Sequence, residues 1–217
     1  MSSTEPLLGW PGWKQLRFAA VVALLGGVWF CLVYGGADAL TAHRETRVRV
    51  HFDAELGIPF IPEAVVVYMS IYLLFIMAPF IVRTRGEFLF LALALNIMIG
   101  VAGIGYLLIP AQLAFPAANP FGAVSSLFRF ADRLNLTYNL VPSLHVGLSS
   151  GCAMIFARHA GGIGKVLWLT WAAAIALSTL LTHQHHVVDV VTGWLLAWAV
   201  YRWYFCRRHK TDGCDGR

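Results

Sequence analysis

The chain has 217 residues, of which 59% are hydrophobic and only 12% are charged, whereas a soluble domain carries about 25% charged residues. This composition excludes an ordinary soluble globular protein and predicts an all-α, polytopic membrane protein. The net charge of +5 suggests nucleic acid as a partner. The basic residues are instead scattered at the ends of apolar runs, as membrane orientation signals are. We therefore expect the membrane as partner, and no nucleic acid.

Six apolar runs succeed one another along the chain, and a helix that crosses a membrane needs about 20 residues. They predict one domain over residues 1–217, a bundle of six transmembrane helices. The predicted helices lie at about residues 18–40, 63–82, 87–109, 142–157, 163–182 and 186–205. The fourth of these is short for a full span.

Two polar stretches separate these runs. The alternation from Arg47 to His51 predicts either a short strand or an interfacial segment, and a solvated loop is the expected interpretation of the whole stretch before Pro62. Residues 110–141 form the longest stretch outside the apolar runs, with an amphipathic helix near 121–133. Loops this long in compact proteins are usually functional.

The arrangement of basic residues predicts the orientation. Six spans leave both termini on one side, which then holds eleven of the sixteen Lys and Arg residues, against five on the other side. The positive-inside rule places both termini in the cytoplasm. We expect an integral protein of a bacterial inner (cell) membrane, with the starts of the fourth and sixth helices on the periplasmic or extracellular side.

A cluster of ionisable residues lies where the sixth helix begins. His183, His185 and His186 take positions where a membrane helix normally carries Leu or Val, and Asp189 follows His185 by one helical turn. A carboxylate beside an imidazole can hold one ring nitrogen protonated and leave the other as a nucleophile or base. Such groups are costly within a membrane, so the cluster predicts a functional site. His186 points about 100° away from His185, and we expect it to serve packing or an interfacial hydrogen bond.

A second motif reaches the same membrane face. Pro142 and Ser143 precede an apolar run, which predicts a helix start. The free N–H groups of a helix N-terminus form an anion site, to which Ser143 adds a hydroxyl. His145 would then project beside a bound phosphate.

These residues have what phosphoryl transfer through a covalent intermediate requires. His185 attacks phosphorus, and Asp189 orients His185 and stabilises its positive charge. His145 protonates the leaving oxygen and then activates water or an alcohol. No metal or cofactor is needed if cations and N–H groups neutralise the phosphate oxygens.

The two motifs carry a resemblance to a known family. PSLH at 142–145, with Ser178, His185 and Asp189 at their spacing, resembles two of the three signatures of the type 2 phosphatidic acid phosphatase superfamily. The third signature, a Lys and an Arg-Pro before PSLH, is not found, and Thr179 stands where Arg is usual. YNLVPSLH with THQHHVVD is more similar to the branch of the inositol phosphorylceramide and sphingomyelin synthases.

This resemblance implies a lipid substrate within the bilayer and the catalytic set His145, His185 and Asp189. Bound phosphate would still need polar and positive partners. The candidates are Ser143, Asn139, Arg129, Arg133, His183 and Ser178.

Several alternatives remain open. Water as acceptor gives a phosphatase, and a lipid or sugar alcohol gives a phosphotransferase of the inositol phosphorylceramide synthase type. A zinc site of His183, His185, Asp189 and His145, a transporter with a histidine relay, and a non-catalytic assembly factor are the other interpretations. The sequence gives no indication of the oligomeric state.

Overall fold

The structure is a computed structural model that describes residues 8–116 and 122–212, with side chains as far as Trp203. In these ranges all regular structure is helical and no strand forms, so the all-α class is confirmed there. The stretch considered as a strand makes only an isolated parallel bridge between Val48 and Ala111.

The helices follow the predicted order, with shifted ends. They are α1 (Trp13–Phe30), α2 (Gly36–Ala42), α3 (Val65–Met69), α4 (Ile71–Ile81), α5 (Arg85–Leu108), α6 (Ser125–Leu134), α7 (Leu144–His159), α8 (Gly162–Leu181) and α9 (Val187–Asp212). A π-helical turn, Cys31–Gly35, joins α1 to α2. The amphipathic helix expected near 121–133 corresponds to α6, although residue 121 lies outside the described residues.

Four stretches of the described chain are long and apolar enough to cross a membrane: Trp13–Ala42, Pro62–Ile81, Arg85–Leu108 and Gly162–Leu181. Large apolar side chains on them are exposed, including Leu24 and Leu25 of α1 and Ile76 of α4. Exposed apolar surface of this extent marks a membrane or protein–protein interaction site. Together with the four long apolar helices, this surface suggests a helical integral membrane protein.

The second predicted span is interrupted in its middle. The Ser70 side chain donates a 2.5 Å hydrogen bond to the carbonyl oxygen of Val67, and its backbone N–H points to the same oxygen at 3.1 Å. Local bonds of this kind compete with regular helix geometry. The helix therefore breaks between α3 and α4, close to Tyr68.

One end of the bundle is where α7 and α9 begin, and we call it the α7/α9 end. The loop before α7 is fastened there. Asn139 donates a 2.7 Å side-chain hydrogen bond to the Tyr34 carbonyl oxygen, and the Tyr106 hydroxyl donates one of 3.0 Å to that of Pro142. The π-helical turn after α1 and the end of α5 are therefore held beside the start of α7.

Helix α7 lies at the centre of the fold, with nearly all of its side chains buried between α8, α9, α4 and α5. Its start approaches α9 closely at Gly193. A Cβ added to Gly193 would overlap the carbonyl oxygen of Ser143, and one added to Gly147 would lie 3.4 Å from the carbonyl oxygen of Gly193. The absence of these side chains lets the two helix starts meet.

We expect Gly193→Ala to destabilise the protein, because the added methyl group must push α9 away from the backbone of Ser143. Overpacking of this kind costs about 1–3 kcal/mol. The measurement is the thermal unfolding midpoint in detergent. Gly86→Ala is the control, since a Cβ there meets nothing within 4 Å. Equal midpoints for the two variants would contradict the close approach.

Candidate active site

His185 and Asp189, at the start of the sixth predicted helix, are in contact. His185 Nδ1 lies 3.3 Å from Asp189 Oδ2, and Asp189 is fully buried. An ionised carboxylate only accepts hydrogen bonds, so Nδ1 carries the proton and donates it. The Nε2 atom of His185 is then left with its lone pair, as a nucleophile requires.

Asp189 accepts hydrogen bonds from other residues besides His185. Its Oδ2 atom also accepts the backbone N–H of His186 at 2.8 Å, and its backbone carbonyl oxygen accepts the N–H of Ser143 at 3.0 Å. The Oδ1 atom is buried with no hydrogen-bond partner among the described residues. Asp189 thus ties the junction before α9 to the start of α7.

His145 is fixed by the interruption between α3 and α4. Its Nε2 atom lies 3.1 Å from the carbonyl oxygen of Tyr68, and its ring stacks on that of Tyr68 at 3.8 Å between centroids. Since a carbonyl oxygen can only accept, Nε2 of His145 must carry the proton. The neutral ring therefore has its lone pair on Nδ1.

The two histidines line one cavity of about 370 Å³. A volume of this size is within the usual range for ligand sites of about 300–1,000 Å³. No lysine or arginine of the described chain lines the cavity. Its polar lining residues are Tyr34, Tyr72, Asn96, Tyr106, Asn135, Asn139, His145 and His185.

Two further residues that were predicted to bind phosphate, Ser143 and Asn139, lie beside the two histidines. The buried Ser143 hydroxyl accepts the N–H of Val146 at 3.4 Å and so caps α7. Asn139 is also buried and lines the cavity. Its side-chain NH₂ group donates a hydrogen bond to the carbonyl oxygen of Tyr34. The other terminal atom of the amide is therefore the oxygen, Oδ1. This Oδ1 atom is buried and has no partner in the described part of the chain.

The remaining predicted phosphate ligands do not line the cavity. Arg129 and Arg133 are exposed on α6. The Ser178 hydroxyl donates to the carbonyl oxygen of Ile175 at 2.6 Å. His183 lies 2.9 Å from the carbonyl oxygen of Ile58 through Nε2, and its ring stacks on that of Phe115. Their proposed roles in phosphate binding stay predictions.

Glu55 is a supporting residue that sequence reasoning missed. The expected solvated loop instead folds inward at this point, and Glu55 is buried. Its Oε2 atom lies 3.0 Å from His186 Nδ1 and accepts the N–H of Val187 at 2.9 Å. The other ring nitrogen of His186 accepts the N–H of Ala114 at 3.1 Å. Glu55 and His186 are 131 residues apart, so no local spacing could reveal the pair.

The pKa of Glu55 follows from these contacts. Burial by itself raises the pKa of the carboxyl, but hydrogen bonds from the N–H groups of Val187 and Phe52 and from the His186 ring outweigh it. The pKa is therefore lowered below its ordinary value of 4.5. Glu55 is ionised at neutral pH and stabilises the first turn of α9, where a negative charge is favourable.

Comparisons of the chain with protein-family models, with curated proteins and with solved structures find no match. The class of protein is accordingly defined by the fold and the site. Four helices apolar enough to span a membrane suggest an integral membrane protein. In it, a His–Asp pair and a second histidine line one largely apolar cavity.

We expect Glu55→Gln to lower the thermal unfolding midpoint at neutral pH, by the equivalent of about 1–3 kcal/mol for a weakened buried bond to a charged group. The pKa of Glu55 is lowered by folding, so its contribution is complete above the ordinary carboxyl pKa and is lost as pH falls through the lowered value. The difference between wild type and variant should therefore shrink in acid.

The matched control is Glu63→Gln, because Glu63 is exposed. Glu63→Gln should leave the thermal unfolding midpoint unchanged at neutral pH and in acid. A Glu55→Gln difference that persists undiminished well below the ordinary carboxyl pKa would show that the charge of Glu55 is not what stabilises the start of α9.

Proposed function

We propose that the protein is a membrane lipid phosphatase or phosphotransferase that works through a phosphohistidine on His185. Its substrate would be a lipid phosphate, pyrophosphate or phosphodiester. The observation that carries the proposal is the His185–Asp189 pair, with its Nε2 lone pair free, beside His145 in one cavity. Each histidine has one nitrogen committed and one available, as nucleophilic and acid–base roles require.

The proposed reaction has two steps. In the first, the negative charge of the bound phosphate favours a second proton on His145, at Nδ1. Nε2 of His185 then forms a bond to phosphorus, the bond from phosphorus to the leaving oxygen breaks, and that oxygen takes the proton from Nδ1 of His145. In the second, Nδ1 of His145 takes the proton of water or an alcohol, whose oxygen attacks phosphorus as the bond to His185 breaks. Asp189 stabilises the positive charge on His185 between the steps.

The proposed setting is a bundle of six spans, in which α7 and α9 cross the membrane together with the four longer apolar stretches. With both termini in the cytoplasm, the α7/α9 end lies at the periplasmic or extracellular face of a bacterial cell membrane. The N-terminal end of α7, capped by Ser143, would direct its positive dipole at the phosphate.

A phosphoalcohol transferase of the inositol phosphorylceramide synthase type is the second candidate, and the cavity wall contains an atom that could bind its acceptor hydroxyl. The Oδ1 atom of Asn139 is a buried acceptor without a partner among the described residues, in the wall of the cavity that holds both histidines. An ionised phosphate oxygen offers no proton to such an atom, whereas the O–H group of an acceptor, water or an alcohol, does. Asn139 would then orient the acceptor alcohol.

Single substitutions test the assigned roles. We expect His185→Ala and His145→Ala each to abolish turnover of a radiolabelled lipid phosphate. Asp189→Asn should lower turnover about 10²–10⁴-fold, because it removes the charge that supports the His185 cation. His43→Ala, at an exposed position, is the control and should be fully active. Full activity in any of the three site variants, with insertion intact, would refute that residue's role.

A second experiment tests the intermediate. Purified protein incubated with labelled lipid phosphate and a chelator should acquire an acid-labile, alkali-stable phosphoryl label, because phosphorus is then bound to nitrogen. His185→Ala should acquire none. Candidate alcohols added to the same reaction separate the acceptors: free phosphate as sole product indicates a phosphatase, and a new phospholipid indicates a transferase. Loss of all turnover in chelator would instead favour the zinc alternative.

A further inference from the structure

The cavity extends far beyond the two histidines. It is lined by α5 from Phe88, near the start of that helix, to Tyr106, near its end. These residues are 18 positions apart, which at 1.5 Å per residue is about 27 Å. The hydrocarbon core of a bilayer is about 30 Å thick. The cavity is therefore deeper than a single reacting headgroup requires.

Polarity changes along the cavity. Tyr106, Asn139, His145 and His185 gather at the α7/α9 end, whereas the wall towards Phe88 is almost entirely apolar. The apolar lining residues include Phe75, Ala78, Leu91, Ala92, Leu95 and Leu148. Asn96 is an exception, but its side chain donates a 2.7 Å hydrogen bond to the carbonyl oxygen of Ala92 within its own helix. This distribution matches an amphiphile with one polar end.

One side of the cavity is open. Ala23 and Gly27 of α1 and Tyr72 of α4 line the cavity and are nevertheless exposed. Helix α1 packs mainly against α5, and its small residues at these positions leave space between α1 and α4. Both helices belong to the stretches that are apolar enough to cross a membrane. The opening consequently faces the hydrocarbon of the bilayer.

We infer that the cavity binds one hydrocarbon tail of the substrate lipid inside the protein. The tail passes from the bilayer through the opening between α1 and α4 and lies along α5, with the phosphorus-bearing end at His145 and His185. The identity of that end rests on the proposed function, whereas the tail site rests on the shape and lining of the cavity.

A photoreactive probe tests the position of the tail. The probe is a long-tail alkyl phosphonate with a diazirine at the far end of its tail, added to the full-length protein in lipid nanodiscs. Its phosphorus is joined to the tail through carbon, so no leaving oxygen is available for turnover. We expect labelling of cavity residues such as Phe88, Leu91 and Ala92. Labelling confined to the outward-facing, exposed Leu89 and Leu93 would overturn the inference.

A matched pair of variants tests the depth of the site. Ala92 lies 14 residues from Tyr106 and lines the cavity, whereas its neighbour Leu93 is exposed and does not. Ala92→Trp should reduce labelling by the long-tail probe about tenfold and leave labelling by a short-tail probe unchanged. Leu93→Trp should change neither. Equal long-tail labelling of Ala92→Trp and wild type would refute the tail site.

The inactive variant His185→Ala separates this inference from the proposed function, and it should keep long-tail labelling in the cavity. Cavity labelling in a protein that neither turns over lipid phosphates nor forms phosphohistidine would leave the tail site standing and end the proposed function. Turnover with labelling only on the outer surface would do the opposite.

Discussion

The arrangement of the site depends on Asp189. This residue accepts hydrogen bonds from the His185 ring and the His186 backbone through its carboxylate, and from the Ser143 backbone through its carbonyl oxygen. A buried carboxylate is costly unless its hydrogen bonds are made, so these contacts have to form together. They bring the start of α7 to the start of α9, and with it His145 to the cavity that His185 lines.

The backbone also helps to position the site residues. The carbonyl oxygen of Tyr68 lies beside the break at Ser70 and fixes the tautomer of His145. Gly193 allows α9 to approach the backbone of Ser143. Neither of these features involves a charged side chain, so helix ends and close packing help to assemble the site alongside the Asp189 carboxylate. This suits a low-dielectric setting, where unpaired polar groups are expensive.

A second layer of contacts surrounds the pair. Glu55, from the loop after α2, binds the His186 ring and the first N–H of α9, while the backbone of Ala114 binds the opposite side of the same ring. The two longest polar stretches of the chain therefore meet around one histidine. His186, which carries none of the proposed chemistry, thereby anchors the segment that holds His185 and Asp189 in place. Networks of this kind specify one arrangement when every member is satisfied.

The sequence by itself determined the helical class. Each apolar run is long enough to form a helix, and this depends only on residues within the run. It also indicated the His185–Asp189 contact, since the two residues are only four positions apart, although His185 lies in the junction just before α9 and not on the helix. The partnership of His145 with Tyr68, the burial of Glu55 and the open side of the cavity were decided only by the tertiary structure. These features join segments that lie tens of residues apart in the chain. The spacing of residues within one helix or loop does not predict which helix ends will be in contact.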